Sequence, residues 1–146
     1  MGLERYDARL KMQNNNKKIT SFKDLNIYQK SYEVSIIVIK QIIPKLPHEE
    51  KFDLGDQLRR SVKAIPRLIA EGYSKRHQIR GFQKYLDDAL SESNETIVSL
   101  SQVRDICDIE VALCNQIIAE YEIISRQIYR LAKVWQSFDK RKPFDK

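Results

Sequence analysis

The sequence predicts an all-α protein that folds as an antiparallel, up-down four-helix bundle. Four segments place apolar residues at steps of three and four, which is the spacing of one helix face. No segment alternates apolar and polar residues as a half-buried strand does, and four glycines and four prolines are few for an all-β chain. A chain of 146 residues can bury the core of one domain, and short connections favour antiparallel neighbours.

The first helix is predicted at residues 25–43 and ends at the break "PKLPHEEK", which contains Pro44 and Pro47. Its apolar residues cover more than one side, which predicts contacts with several neighbours. The main arc comprises Leu25, Tyr28, Tyr32, Ile36, Ile39 and Ile43. The second arc, which we expect another copy of the chain to cover, comprises Val34, Ile37, Val38 and Ile42.

The second helix is predicted at residues 50–72, with Gly72 as a left-handed cap. Pro66 lies inside it and has no N–H to bond to Val62. The loss costs about 3 kcal/mol, so we expect a kink or an interruption. The predicted core residues are Leu54, Leu58, Val62, Ile65 and Ile69.

The third helix should begin near Gln78, and the fourth should follow the connection "DICDIE", with Asp108 as its N-cap. The predicted core residues of the third helix are Ile79, Phe82, Leu86, Ala89, Leu90, Ile97 and Leu100. Those of the fourth are Val111, Cys114, Ile118, Tyr121, Ile124, Ile128, Leu131 and Trp135. The bundle is thus expected at residues 21–138, between a flexible polar tail at residues 1–20 and a frayed tail at residues 139–146.

The stretch "LRRSVKAIPRLIAEG", residues 58–72, carries basic side chains on the face opposite its apolar residues. Like charges at i,i+4 cost a few tenths of a kcal/mol per pair, which favours an anionic partner. Alternatively, Asp56, Glu71 or acids on a neighbouring helix neutralise them. Tyr73 is the one aromatic residue placed to stack on a base. The candidate nucleic-acid-binding residues are Arg59, Arg60, Lys63, Arg67, Tyr73, Lys75, Arg76, Arg80 and Lys84.

The remaining composition favours a protein without catalytic chemistry. The net charge of +6 fits an acidic partner, although many inert proteins share such a charge. Cys107 and Cys114 fall on apolar positions, and His48 and His77 complete no metal-binding or di-iron spacing. We therefore expect no catalytic residue, no metal and no cofactor. The N-terminus has no apolar signal segment and no apolar run is long enough to span a membrane, so we predict a cytoplasmic protein.

Two blocks resemble a known bacterial family: "FKDLNIYQK" at residues 22–30 and "LGDQLRRSVKAIPRLIAEG" at residues 54–72. Both resemble the four-helix-bundle proteins encoded in 23S rRNA intervening sequences, once labelled ribosomal protein S23. Two positions depart from the family pattern. Leu68 stands where Asn is usual, and Ser91 and Glu92 replace a usual Gly-Ser pair.

The resemblance implies a non-enzymatic bundle that assembles as a ring-like homopentamer. It also implies similarity to accessory proteins of diversity-generating retroelements, which bind nucleic acid and a reverse transcriptase through a basic surface. The expected partners are therefore other copies of the chain, RNA or DNA, and a protein such as a reverse transcriptase. The leading hypothesis is RNA binding through backbone phosphates. The alternative is a protein-interaction scaffold whose basic residues serve assembly or an acidic protein partner.

Overall fold

The computed structural model describes residues 18–140, without the side chains of Ile79 and of residues 137–140. Most of the predicted N-terminal tail, residues 1–17, and the last six residues, 141–146, lie outside the described range. Within that range the chain is helical and contains no β-strand. The four long helices are α1 (Asn26–Ile37), α2 (Leu54–Ser74), α3 (Ile79–Gln102) and α4 (Val111–Lys140).

The helices pack in sequence order around one core. Helix α1 contacts α2 and α4, α2 contacts α3, and α3 contacts α4. The predicted all-α four-helix bundle is confirmed. Helix α1 continues into a π-helical turn, Val38–Ile42, and a 3-10 turn, Ile43–Lys45. A single α-helical turn, His48–Lys51, then precedes α2, which begins four residues later than predicted, at Leu54 and not at Glu50.

The inward face of α1 differs from the predicted one. Val34, Val38 and Ile42 of the second arc are buried, whereas Tyr32 is 52% exposed and Ile36 is 38% exposed. The arc expected to need a partner copy is therefore covered within one chain. Two buried serines, Ser31 and Ser35, lie on the same inward face. They interrupt its apolar pattern in the sequence, but each hydroxyl donates a hydrogen bond to a carbonyl three residues earlier, which satisfies it in the core.

The core face of α2 agrees with its apolar periodicity. The five predicted residues, from Leu54 to Ile69, are all buried. The helix is not interrupted at Pro66, which is itself buried. Burial of Ile65 and Ile69 on either side of the proline offsets the lost hydrogen bond, because each buried aliphatic side chain contributes about 1.5–3 kcal/mol.

Gly72 does not cap α2, and the prediction of a left-handed glycine there was wrong. No described glycine has a positive φ, and the helix continues to Ser74. A Cβ at Gly72 would lie 2.7 Å from the Cβ of Tyr85 on α3. The missing side chain therefore allows α2 and α3 to approach each other closely.

The connection before α4 is built from two residues with left-handed backbone. Asp108 has a φ of 54° and ends the π-helical segment Val103–Cys107, so its predicted role as the N-cap of α4 was wrong. Glu110 has a φ of 44°, and its carbonyl accepts a hydrogen bond from the N–H of Cys114 at 2.8 Å. The chain thus reverses direction without the glycine or proline that usually marks such a bend.

The core faces of α3 and α4 mostly follow the predicted pattern, with fully or partly buried side chains at most predicted positions. Val111 is an exception, because it is 39% exposed at the start of α4. Ile117 is buried but was not predicted. Hydroxyl groups also link the helices: Thr96 on α3 bonds to Ser61 on α2 at 2.8 Å.

Candidate nucleic-acid interface

The basic residues of α2 form one wall of an open groove between α2 and α3. We call Arg59, Arg60, Lys63 and Arg67 the basic stripe. The groove encloses about 550 Å³. Its lining residues are Asp56, Arg59, Arg60, Lys63, Ala64, Arg67, Leu68, Glu71 and Glu92.

The acids of α2 neutralise the basic stripe only in part. Arg59 forms an ion pair with Asp56 at 3.2 Å, and the two side chains are 42% and 55% exposed to solvent. Such a surface pair contributes between about 0 and 1 kcal/mol. Arg60, Lys63 and Arg67 make no ion pair within 4.0 Å of any described residue. No ion pair within the described chain therefore neutralises these three positive charges.

One acidic residue of α3, Glu92, faces the same groove. Burial raises the pKa of Glu92 above its usual value, and the nearby charge of Glu95 raises it further. Arg60 lowers this pKa, and Asp88 raises it. The lining thus contains four basic and three acidic side chains, so both the anion-binding and the neutralised interpretations describe part of the groove.

The positive surface continues at the turn between α2 and α3. Four exposed basic residues occur there or on the first turns of α3. They are Lys75, Arg76, Arg80 and Lys84. With the basic stripe included, eight of the nine predicted site residues lie on the surface of α2, of α3 and of the turn that joins them. Seven of the eight are exposed, and Arg59 is half-buried.

Tyr73, the ninth, is not positioned to stack on a base. It is only 9% exposed, and its ring contacts Phe82 edge-on. The guanidinium carbon of Arg76 lies 4.0 Å from the ring centroid, and Nη1 of Arg76 donates a hydrogen bond to the carbonyl of Tyr73 at 2.9 Å. Because α2 continues past Gly72, Tyr73 lies four residues after Ile69 and shares its core-facing side.

A second basic surface lies on α4, and none of its residues was among the predicted site residues. Its central residue is Tyr129, whose side chain is 53% exposed. A groove of about 490 Å³ runs beside this ring, between α3 and α4. Its lining residues are Leu90, Ser125, Arg126, Tyr129, Arg130 and Lys133. The signal was the spacing of Arg126, Tyr129, Arg130 and Lys133 at i, i+3, i+4 and i+7, which places them on one helix face.

The other reactive side chains form no metal site in the part of the chain that the structure describes. No group of three or more His, Cys, Asp or Glu side chains there could hold a metal ion. Both cysteines are free, and burial raises the pKa of the Cys107 and Cys114 thiols, which disfavours the nucleophilic thiolate. No helix between residues 18 and 140 combines the length and the apolar character that crossing a bilayer requires.

Comparison with known proteins identifies the family. The family model described as 23S rRNA-intervening sequence protein matches residues 23–130, which include the basic stripe and most of α4. The chain belongs to the 23S rRNA-intervening sequence protein family. This confirms the family inferred from the two sequence blocks, whereas the similarity to retroelement accessory proteins stays a prediction. No curated protein and no solved structure gives a significant match to the chain.

Proposed function

We propose that this protein is a non-catalytic, oligomeric four-helix bundle that binds RNA through backbone phosphates. One observation carries the proposal. Arg60, Lys63 and Arg67 line a groove without forming an ion pair with any described residue. Exposed basic residues at the α2–α3 turn extend this positive surface beyond the groove. The family description refers to 23S rRNA, which makes RNA the first polyanion to test.

Binding of this kind would depend on charge more than on base sequence. Lysine and arginine side chains displace counterions from the nucleic-acid backbone, so affinity falls as salt concentration rises. Contacts to phosphates carry no sequence information, so specificity would come from RNA shape. Glu92 would oppose the phosphates, which predicts weak binding to the groove.

The test is a double charge reversal in the basic stripe, Lys63→Glu with Arg67→Glu. The control reverses two exposed lysines elsewhere, Lys40→Glu with Lys51→Glu, and changes the net charge equally. Binding of a structured RNA and of duplex DNA is measured by fluorescence anisotropy at several salt concentrations.

The stripe variant should bind more weakly and should lower the slope of log affinity against log salt. For duplex DNA the reduction should be about 1.8, or about 0.9 for each lost phosphate contact. The control should retain most of the affinity and the slope. No binding by the natural protein at low salt, or equal losses in both variants, would contradict the proposal.

The second candidate is a protein-interaction scaffold, and two features of the groove favour it. Glu92 gives the groove mixed charge, and the half-buried Leu68 gives it an apolar contact. Both suit a protein surface better than a phosphate chain. An acidic protein partner, such as a reverse transcriptase with a suitable surface, belongs to this alternative.

Assembly as a homo-oligomer is also part of the proposal. The outer face of α1 exposes Tyr32 and Ile36, and the Tyr32 ring stacks on Tyr28 at 5.9 Å. Such exposed apolar surface commonly marks an interface. The number five rests on the family resemblance alone. Light scattering measures the oligomer, and a monomer near 17 kDa at micromolar concentration would refute assembly. If the stripe variant dissociates but stays helical, the basic stripe is an assembly surface.

A further inference from the structure

The groove between α3 and α4 combines an exposed aromatic ring with several cations. Tyr129 is 53% exposed, and the ammonium nitrogen of Lys133 lies 5.4 Å from its ring centroid. Arg126 precedes Tyr129 by three residues, and Lys133 follows it by four. At a rise of about 1.5 Å per residue, the Cα atoms of Arg126 and Lys133 lie roughly 4.5 Å and 6 Å along the helix on either side of that of Tyr129.

This groove differs from the α2 groove in its acidic residues. None of its six lining residues is acidic, whereas three acids line the α2 groove. The sequence of α4 from residue 123 to residue 138 contains three basic residues and no acidic one. A phosphate approaching this face therefore meets no carboxylate in the lining of the groove.

An aromatic ring and flanking cations are the two components of surfaces that bind single-stranded nucleic acid. Every base has a π-face that can stack on such a ring, and the cations follow the phosphate backbone. A paired base in a duplex is already stacked between its neighbours. The arrangement therefore suits an unpaired nucleotide.

We propose that the α4 groove binds a single-stranded RNA segment, with Tyr129 stacked on one base and Arg126 and Lys133 contacting the flanking phosphates. This inference rests on the proposed RNA-binding function and names the RNA segment involved. The basic stripe lines the groove between α2 and α3, whereas the second groove lies between α3 and α4. One RNA that contains both structured and unpaired parts can thus contact both surfaces.

The test compares a 10-nucleotide oligouridine with an abasic strand of the same length, which keeps the phosphates but has no bases. Binding to the full chain is measured by fluorescence anisotropy at low salt. Tyr129→Ala should weaken oligouridine binding by about 5- to 150-fold, the range seen when a stacking aromatic is removed. It should leave binding of the abasic strand unchanged, and Tyr129→Phe should retain the natural affinity for both.

The control is Phe52→Ala, because Phe52 is an aromatic residue that is 76% exposed and lines neither groove. It should bind both strands as the natural protein does. Circular dichroism and light scattering verify that each variant keeps its helices and its oligomer size.

The results of these binding measurements distinguish a failure of the α4 inference from a failure of the proposed RNA-binding function. If Tyr129→Ala binds oligouridine normally while the Lys63→Glu, Arg67→Glu variant loses RNA binding, the α4 inference is overturned and the proposed function stands. Equal losses on both strands also overturn it, because stacking requires a base. If the natural protein binds neither the strands nor a structured RNA, both proposals fall. A change in oligomer size with unchanged RNA affinity would assign Tyr129 to an interface between copies.

Discussion

Replacing Gly72 with alanine tests the close contact between α2 and α3. The added Cβ would lie 2.7 Å from the Cβ of Tyr85 and 3.0 Å from Cδ1 of Phe82. Carbon atoms pack best at about 3.5–4.0 Å, so the two helices must separate locally by about 1 Å. Rotation of the Tyr85 side chain cannot relieve the contact, because its Cβ is fixed to the backbone of α3.

Two opposing effects determine the size of the change. Overfilling a packed core typically costs about 1–3 kcal/mol. Alanine is a better helix former than glycine, and this stabilises the interior of a helix by about 0.8–1.0 kcal/mol. We therefore expect Gly72→Ala to lower the free energy of unfolding by about 1 kcal/mol, and by no more than about 2 kcal/mol.

The measurement is urea denaturation followed by circular dichroism, at one protein concentration because an oligomer gains stability from association. Gly55→Ala is the control on the same helix. Its added Cβ would come no nearer than 3.4 Å to any neighbour, which is ordinary contact, so it should be neutral or stabilising by up to about 1 kcal/mol. A Gly72→Ala protein whose stability changes by the same amount as that of Gly55→Ala would refute the steric explanation.

Three further substitutions have expected outcomes that titration or denaturation can check. Glu92→Gln should tighten RNA binding and should stabilise the fold at pH 7. The pKa of Glu92 is raised in the folded protein, so its negative charge destabilises the fold at that pH. The gain from Gln should vanish as pH falls through the raised pKa, because the natural side chain then becomes protonated. Thr96→Val should destabilise the fold by about 1–3 kcal/mol by removing a partner of buried Ser61, and adding Ser61→Ala should recover most of the loss. Tyr121→Phe should stabilise by about 1 kcal/mol, because its hydroxyl is buried without a hydrogen-bond partner among the residues that the structure describes; a clear loss of stability would reveal one.

The core faces were predictable wherever apolar residues alone carried the helical period. Helix α2 shows this, because its five predicted core positions carry only Leu, Val and Ile and all five are buried. Helix α1 shows the limit. Ser31 and Ser35 occupy its core face and bond to carbonyls of their own helix, so the hydrophobic pattern pointed to the exposed arc of Tyr32 and Ile36. Residue type alone does not reveal where a hydroxyl finds its partner.

The candidate site was predictable only where it depends on one helix. The basic stripe follows from the spacing of Arg59, Arg60, Lys63 and Arg67 along α2. The burial of Tyr73 depends on where α2 ends, since a helix ending at Gly72 would have left the ring outside the core. Glu92 is the lining acid that α3 contributes, and its position could be known only from the packing of the two helices, whereas Asp56 and Glu71 lie on α2 itself.

Local charge, more than the total of +6, separates the two grooves. An anion entering the α2 groove gains the attraction of Arg60, Lys63 and Arg67 but meets Glu92, whose raised pKa already reflects the cost of holding a charge there. An anion entering the α4 groove meets Arg126 and Lys133 and no acidic lining residue. Repulsion by a partly buried carboxylate is screened by salt less than attraction by exposed cations. Added salt should therefore weaken binding in the α2 groove first, and stacking on Tyr129 should account for a growing share of the remaining affinity.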